Sequence, residues 1–178
     1  MKLIDNRNDL LSLLPKGMVV AELGVFKCEF SDILLKQLQP SKLYLVDIFP
    51  NYMCSGDKDG NNIVHENLEQ LLPDIINKYK ANPEVVITKS TSSDFLRSLA
   101  DDILDMVYID ANHSYEYVKM DLELSLHKVK KGGFICGHDY TSTMFPDIIR
   151  AVDEFCLKSN LKIEYLTNDG CPTYVIIK

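Results

Sequence analysis

A chain of 178 residues, 46% hydrophobic and 25% charged, has the size and composition of one globular domain, which we place at residues 1–178. The net charge of −7 comes without a block of Lys and Arg, which argues against a nucleic-acid partner. No apolar run approaches the roughly 20 residues that predict a membrane span. Asp5 and Asp9 interrupt the apolar N-terminus, so no signal peptide is expected.

The cysteines are five in number and scattered, with no Cys-x-x-Cys pair. They are Cys28, Cys54, Cys136, Cys156 and Cys171. An odd number without paired spacing is typical of a reduced, cytoplasmic protein and offers no zinc-ribbon motif. Association of copies into a homo-oligomer is left open.

Apolar runs of strand length alternate with segments of helical periodicity along the chain. The predicted strands are 17–23, 42–49, 84–89, 103–110 and 133–140. The predicted helices are about 29–38, 64–80, 94–99, 118–129 and 148–160. The segments LKIEYL and PTYVIIK flank the turn signal NDG and predict a terminal hairpin. This alternation predicts an α/β fold with a mostly parallel sheet and helices on both faces.

Ligands of such sheets bind at the carboxyl ends of the strands, so the first two strand ends are informative. Glu22 closes the first strand, and Gly24 permits a tight turn before a helix N-terminus. Asp47 closes the second strand, 25 residues after Glu22, where an acid can accept hydrogen bonds from ribose hydroxyls. An ordinary loop with one glycine and a turn aspartate is the alternative. The chain lacks G-x-G-x-x-G, which argues against a dinucleotide dehydrogenase.

The polar stretch STSS, residues 90–93, follows the third predicted strand. Ser92 and Ser93 are placed to meet the edge of an adenine, and one of them is also expected to cap the helix that follows.

The strongest signal lies at the ends of the fourth and fifth strands, where Asp110 and His113 face His138 and Asp139. Neighbouring parallel strands would bring these four side chains together. Carboxylate and imidazole ligands suit a divalent ion, and a histidine suits general base catalysis. The alternative is that Asp110 caps the next helix and His138 bonds to backbone. Two such pairs at adjacent strand ends favour a functional site.

The polar segment at 50–65 is predicted to be a loop over this site. Its stretch DKDGNN, residues 57–62, is not a calcium-binding EF-hand, because the sixth and twelfth positions are Asn62 and Leu68. His65, just beyond it, is interpreted as a solvated residue at a helix start, with a position facing the substrate as the alternative. His127 is interpreted as a surface residue.

Three segments together resemble class I S-adenosylmethionine-dependent methyltransferases: VVAELGVFKCEFS, LYLVDIF, and the region from VYIDANHSYEYV to GGFICGHDY. The third is similar to small-molecule O-methyltransferases that act on macrolide and aminocoumarin sugars. The resemblance covers roughly residues 17–156. It implies a Rossmann-like fold with a seven-stranded, mostly parallel sheet and a terminal antiparallel hairpin. It also implies methyl transfer to a hydroxyl of a small-molecule acceptor, such as a sugar or a phenol.

The resemblance also implies roles for individual residues at the cofactor. Glu22 and Gly24 would shape the methionine pocket of S-adenosylmethionine, with Phe26 also contacting the cofactor. Asp47 would bind the ribose. Ser92 and Ser93 would border the adenine, and Asp110 would lie beside the cofactor.

At the acceptor side, the resemblance implies a metal site of Asp110, His138 and Asp139 for Mg²⁺ or another divalent ion. It implies His113 as the base. Cys28 stands where the family has a second motif glycine. His138 stands where the family has an aspartate, which weakens the case for Mg²⁺.

The sequence is compatible with three alternatives to a metal-assisted methyltransferase. The first is a metal-independent methyltransferase in which His113 and His138 form the acid/base pair. The second is a nucleoside-binding module without catalysis. The third is a metal-dependent hydrolase or oxidoreductase on the same scaffold, against which the lack of a nucleophile elbow and of a dinucleotide fingerprint argues.

Overall fold

The computed structural model of the protein describes residues 1–51, 53–56, 63–141 and 143–178, and only the backbone of residues 53–56 and 63–66. Residues 52 and 57–62 and the side chain of His65 therefore lie outside the described residues, as do most side chains of the 50–65 segment predicted to be a loop over the site.

One large sheet forms the centre of the molecule. Its strands and those of a separate two-stranded sheet are β1 Lys2–Ile4, β2 Val19–Leu23, β3 Lys42–Asp47, β4 Met53–Gly56, β5 Ile63–Glu66, β6 Val85–Lys89, β7 Leu104–Ile109, β8 Val129–Gly137, β9 Ile163–Thr167 and β10 Tyr174–Ile177. The large sheet has the order β1-β9-β10-β8-β7-β2-β3-β6, and β4 pairs with β5. Strand β10 runs antiparallel to both of its neighbours, and all other pairs in this sheet are parallel.

Six helices cover the two faces of the sheet within the described residues. They are α1 Arg7–Ser12, α2 Glu29–Leu38, α3 Leu68–Lys78, α4 Ser92–Ser98, α5 Tyr115–Lys128 and α6 Pro146–Ser159. Buried residues of α1, α2 and α3 form one core, and those of α4, α5 and α6 form a second. Strand β2 supplies both cores, with Val20 in the first and Ala21 and Leu23 in the second. None of the helices described is long and apolar enough to span a membrane.

The α/β prediction is confirmed, including the mostly parallel sheet and the antiparallel C-terminal pair of β9 and β10. The strand number differs, because residues 2–4 add an eighth strand at the edge beside β9. Three residues, of which only Ile4 is buried, are too few to show a periodic pattern. The second predicted helix, 64–80, begins at Leu68 rather than near residue 64, because residues 63–66 are extended and pair with β4.

The register of the parallel strands brings the candidate residues to one edge of the sheet. Leu23 pairs with Val46 on one side and with Ile109 on the other, and Ile109 pairs with Gly137. The four strands therefore end side by side. The residues at or just past these ends are Gly24, Asp47, Asp110 and His138.

Candidate active site

The loop after β2, which begins at Gly24, packs directly on the end of β7, the fourth predicted strand. Gly24 has φ +86°, and a side chain there would collide with the carbonyl oxygen of Asp110 and lie 2.6 Å from its carbonyl carbon. Its amide donates to the carbonyl of Val46 (2.8 Å), and the amide of Asp110 donates to that of Leu23 (2.8 Å). Glycine is therefore required here by close backbone packing between two loops.

Asp47 ties two loops together at the end of β3. Its Oδ2 accepts the backbone amides of Val25 and Phe26, both at 3.0 Å, and its Oδ1 accepts the amide of Phe49 at 2.8 Å. A carboxylate offers about four acceptor positions, so capacity for a ligand hydroxyl remains.

The loops after β2 and β3 contain non-glycine residues in the left-handed region of backbone conformation. Phe26, Cys28 and Phe49 have φ values of 48°, 62° and 44°. Cys28 is fully buried and stands just before α2, which explains why a glycine suits that motif position. These loops keep a strained backbone beside the strand ends.

An open cleft of about 470 Å³ crosses the ends of β2, β3 and β7. It is lined by Gly24, Phe26, Val46, Asp47, Ile48, Pro50, Ser90, Thr91, Ser92, Asp110, Ala111, Asn112 and Tyr117. This volume lies in the range of pockets that hold small molecules and cofactors. Five of the predicted cofactor residues are thus brought together: Gly24, Phe26, Asp47, Ser92 and Asp110.

The other two predicted cofactor residues, Glu22 and Ser93, do not line this cleft. Ser93 is buried in α4, with its hydroxyl 3.3 Å from that of Thr91. The expected helix cap is also a different residue, because Thr91 accepts the amide of Asp94 (3.1 Å). The prediction that Ser92 or Ser93 caps this helix is therefore wrong, and Ser92 is left free to face the cleft.

Glu22 lies beneath the cleft and is 2% exposed. Its Oε2 accepts a hydrogen bond from the hydroxyl of Ser31 (2.6 Å). Burial raises the pKa of Glu22 from 4.5 to about 8, against the opposing effect of the Ser31 hydrogen bond, and the charges of Asp110 and Asp47 raise it further. Glu22 is therefore protonated in the folded protein over a range in which an exposed glutamate is ionised.

The free energy of unfolding should depend on pH because of this buried acid. Between about pH 4.5 and 8 the folded state holds a proton on Glu22 that the unfolded state releases. The contribution of Glu22 to the free energy of unfolding is therefore fully present below pH 4.5 and is lost as the pH rises toward 8. We expect Glu22→Gln to gain unfolding free energy relative to wild type as the pH increases, by a few kcal/mol in order of magnitude.

Urea denaturation at pH 5, 6.5 and 8 measures this difference. Glu29→Gln is the matched control, because Glu29 is exposed on α2 and should show no such trend. A constant difference between Glu22→Gln and wild type across this range would contradict the assignment.

Four side chains meet where β7 and β8 end, and we call Asp110, His113, His138 and Asp139 the His/Asp cluster. Nε2 of His113 lies 3.5 Å from Asp110 Oδ1 and 3.5 Å from Asp139 Oδ2. Nδ1 of His138 lies 3.5 Å from Asp110 Oδ2 and 3.2 Å from Asp139 Oδ1. Each histidine therefore contacts both carboxylates.

The alternative in which Asp110 caps the next helix is wrong. The residue before α5 is Ser114, and its amide donates to Oδ1 of Asn112 (2.9 Å). Asp110 is consequently available to the His/Asp cluster. It also lines the cleft, so cluster and cleft share a wall.

Exposure and charge differ across the His/Asp cluster. His113 is the most open, with 35% of its side chain exposed, and its ring meets that of Phe145 edge-on at 4.5 Å. The hydrogen bond with Asp110 raises the pKa of His113, although burial opposes the shift. Burial tends to raise the pKa of Asp139, but the interaction with His138 outweighs it and holds that pKa below its usual value. The cluster therefore favours an ionised acid beside a basic imidazole.

The donor set suits a divalent ion. Among the side chains described, one group of possible ligands converges, with atoms of Asp110, His113 and Asp139 all within 4.8 Å of one another. Two carboxylates and an imidazole are ligands for first-row divalent metals. The set expected from sequence had His138 in place of His113. Geometry thus favours the other histidine as the third ligand, and both sets stay predictions.

Several residues of the candidate site were not predicted from the sequence. Thr91, Asn112 and Tyr117 line the cleft, and Asp121 bonds to Ser92 behind it. Asp121 had a detectable signal, since it lies in the buried stripe of α5, where a charged residue is unusual.

A family model described as a methyltransferase domain matches residues 22–140, about two thirds of the chain. The sequence has no match among curated proteins. Similar solved structures include the O-methyltransferase NovP, with TM-score 0.67 and 19% identity over 97% of this chain and 79% of that chain. The N-methyltransferase NodS from Bradyrhizobium japonicum WM9 has TM-score 0.64 and 12% identity over 97% of this chain and 92% of that chain.

Fibrillarin from Aeropyrum pernix, in complex with natively bound S-adenosyl-L-methionine, has TM-score 0.63 and 12% identity over 96% of this chain and 73% of that chain. At these identities the solved structures support a shared fold, and the family model carries the assignment. The chain belongs to the methyltransferase domain family and is an S-adenosylmethionine-dependent methyltransferase.

Proposed function

We propose that this methyltransferase acts on a hydroxyl oxygen of a small molecule, with the methyl donor in the cleft and the acceptor at the His/Asp cluster. The observation that carries the proposal is the position of Asp110. It lines the cleft and contacts both histidines of the cluster. A base is thereby held at the edge of the donor site, as an oxygen acceptor requires.

The donor would lie along the strand ends in the order that the cleft provides. Asp47, at the end of β3, would accept hydrogen bonds from the ribose hydroxyls. Gly24 and Phe26 would border the methionine part, next to Asp110. Ser92 would meet the adenine at the far end, beside Tyr117. The sulfonium methyl group would then point toward the His/Asp cluster.

Methyl transfer is an in-line displacement in which an oxygen–carbon bond forms as the sulfur–carbon bond breaks, and the bonding pair remains on sulfur. The hydroxyl proton would pass to Nδ1 of His113, because the carboxylates beside Nε2 keep the proton of the neutral ring on Nε2. The carboxylates of Asp110 and Asp139, each 3.5 Å from that nitrogen, would stabilise the imidazolium that results. Positioning of the two substrates would supply most of the remaining acceleration.

A divalent ion fits the same residues. Asp110 and Asp139 would hold it, with His138 as inferred from sequence or His113 as the convergent geometry favours. A bound ion acts as a Lewis acid that lowers the pKa of a coordinated hydroxyl. The metal-independent alternative rests on the contacts of each histidine with both carboxylates, which orient His113 without an ion.

A small-molecule hydroxyl is supported by three observations. The His/Asp cluster supplies a base, which an already nucleophilic amine needs less. The net charge of −7 is unsuited to a polyanionic nucleic acid. The likeness to the O-methyltransferase NovP points in the same direction.

The proposal is tested by methyl transfer from S-adenosylmethionine to a panel of sugars, phenols, amines and a short RNA, followed by mass spectrometry. We expect a single methyl group on hydroxyl acceptors. Calorimetry with S-adenosylhomocysteine measures donor-site binding separately. Transfer only to amines or to RNA would refute the acceptor class while leaving the donor site intact.

Metal dependence has its own expected result. Calorimetry with Mn²⁺ should show binding to wild type and a loss of at least about tenfold in affinity for Asp139→Asn. Asn is a suitable replacement because it tolerates the φ of 60° at this position. Methyl transfer unchanged by a chelator, yet lost in His113→Ala, would instead establish the metal-independent route.

A further inference from the structure

We propose that Asp121 fixes the direction of the Ser92 hydroxyl, so that Ser92 accepts a hydrogen bond from the adenine amino group of the donor and discriminates against a 6-oxo purine. The inference rests on the proposed placement of the donor. Asp121 acts through Ser92 and is a positioning residue.

The first observation is a buried carboxylate directly behind the cleft wall. Asp121 is 1% exposed, and its Oδ1 accepts a hydrogen bond from the Ser92 hydroxyl at 2.8 Å. Its Oδ2 is buried and has no partner among the described residues. Burying an acid with one oxygen unpaired is unfavourable by several kcal/mol in order of magnitude. A contact that served only packing between α4 and α5 would not need a charged group.

The second observation is that, within the described part of the chain, the Ser92 hydroxyl has no hydrogen-bond partner other than Asp121. The cap of α4 is Thr91, whose hydroxyl accepts the amide of Asp94. Ser92 itself lines the cleft together with Thr91 and Tyr117. Its side chain therefore has Asp121 on one side and ligand space on the other.

The direction of the Ser92 hydroxyl proton follows from the chemistry of the Asp121 carboxylate. An ionised carboxylate only accepts hydrogen bonds, so the single hydroxyl proton of Ser92 must point to Asp121. The lone pairs of Ser92 are then left for the cleft. Adenine presents an amino group at position 6, which donates, whereas hypoxanthine presents a carbonyl oxygen, which accepts. Ser92 would pair with the first and oppose the second.

Burial raises the pKa of Asp121 to about 6, against the effect of the Ser92 hydrogen bond. Measurements at pH 8 therefore examine the carboxylate form. In Asp121→Asn, the amide can donate to Ser92, which frees the serine proton to turn toward the ligand. The preferred purine should then change.

The test compares S-adenosylhomocysteine with its deaminated analogue, S-inosylhomocysteine, by calorimetry at pH 8. We expect wild type to bind the adenine form at least about tenfold more tightly, as one mismatched buried hydrogen bond implies. Asp121→Asn should reduce this ratio by about tenfold or invert it. Ser92→Ala should reduce the ratio as well, because it removes the acceptor. Asp74→Asn, at an exposed position on α3, is the matched control and should leave the ratio unchanged.

The outcomes separate this inference from the proposed donor site. Wild type that binds neither ligand would overturn both. Binding of S-adenosylhomocysteine with no preference over the deaminated form would overturn the inference alone, as would a ratio within about twofold of wild type in Asp121→Asn. If Asp121→Asn does not fold, Ser92→Ala decides, and an unchanged ratio there overturns the inference.

Discussion

His113→Ala is expected to lower the rate of methyl transfer by about 10²–10⁴-fold, with little change in the affinity for S-adenosylhomocysteine. The reason is geometric. His113 is the most exposed member of the His/Asp cluster and does not line the donor cleft, so its loss removes a proton acceptor without opening the donor site. Single-turnover rates and calorimetry on the same protein samples measure the two effects.

His127→Ala is the control for this prediction. His127 is exposed near the C-terminal end of α5, whereas His113 lies in the loop before the N-terminal end of that helix. His127→Ala should retain the wild-type rate. A His113→Ala protein that transfers methyl groups at the wild-type rate would exclude His113 as the base.

Gly24→Ala should strongly destabilise the protein. A left-handed backbone disfavours any side chain by about 1–2 kcal/mol, and φ at this position is +86°. The added methyl group would also collide with the backbone of Asp110 and lie 2.7 Å from Cα of Ala111. Backbone atoms cannot move aside as a side chain can. We expect a loss of more than about 3 kcal/mol in unfolding free energy.

The donor affinity should fall in the same variant, by at least about tenfold, because the displaced loops carry Asp110 and the amides held by Asp47. Gly17→Ala is a matched control. Gly17 has φ +76°, but an added methyl group there meets nothing within 4 Å. Gly17→Ala therefore measures the cost of a side chain on a left-handed backbone without a steric clash. Equal destabilisation in the two variants would show that the clash with Asp110 is absent.

The location of the site could be predicted from sequence because parallel strands end at a shared edge. Asp47, Asp110 and His138 each follow an apolar run, so recognition of the strands was enough to group them. The contacts behind that edge could not be predicted in this way. Whether Ser92 or Ser93 faces the cleft depends on which residue starts the helix, and Thr91 caps it. One position of shift in a helix turns a side chain by about 100°.

The contacts of each histidine with both carboxylates could not be predicted from the sequence. In an extended strand, His138 and Asp139 would point to opposite faces. Strand β8 ends at Gly137, and Asp139 adopts φ 60°, which breaks this alternation. His138 therefore contacts Asp110, and a carboxylate oxygen of Asp139 lies within 4.8 Å of one of Asp110. Which histidine converges with the two carboxylates follows from this local turn, and no pattern of residue types encodes it.

The left-handed residues around the site bear on how this enzyme would respond to laboratory evolution. Phe26, Cys28, Phe49 and Asp139 keep an unfavourable backbone at the strand ends. Replacement by glycine or asparagine relieves such a penalty, so a screen for heat resistance alone would tend to select these positions. The same changes would loosen the loops that shape the cleft. Thermostable descendants altered at these four sites should therefore be poorer catalysts, whereas stabilising changes on the outer helices should carry no such cost.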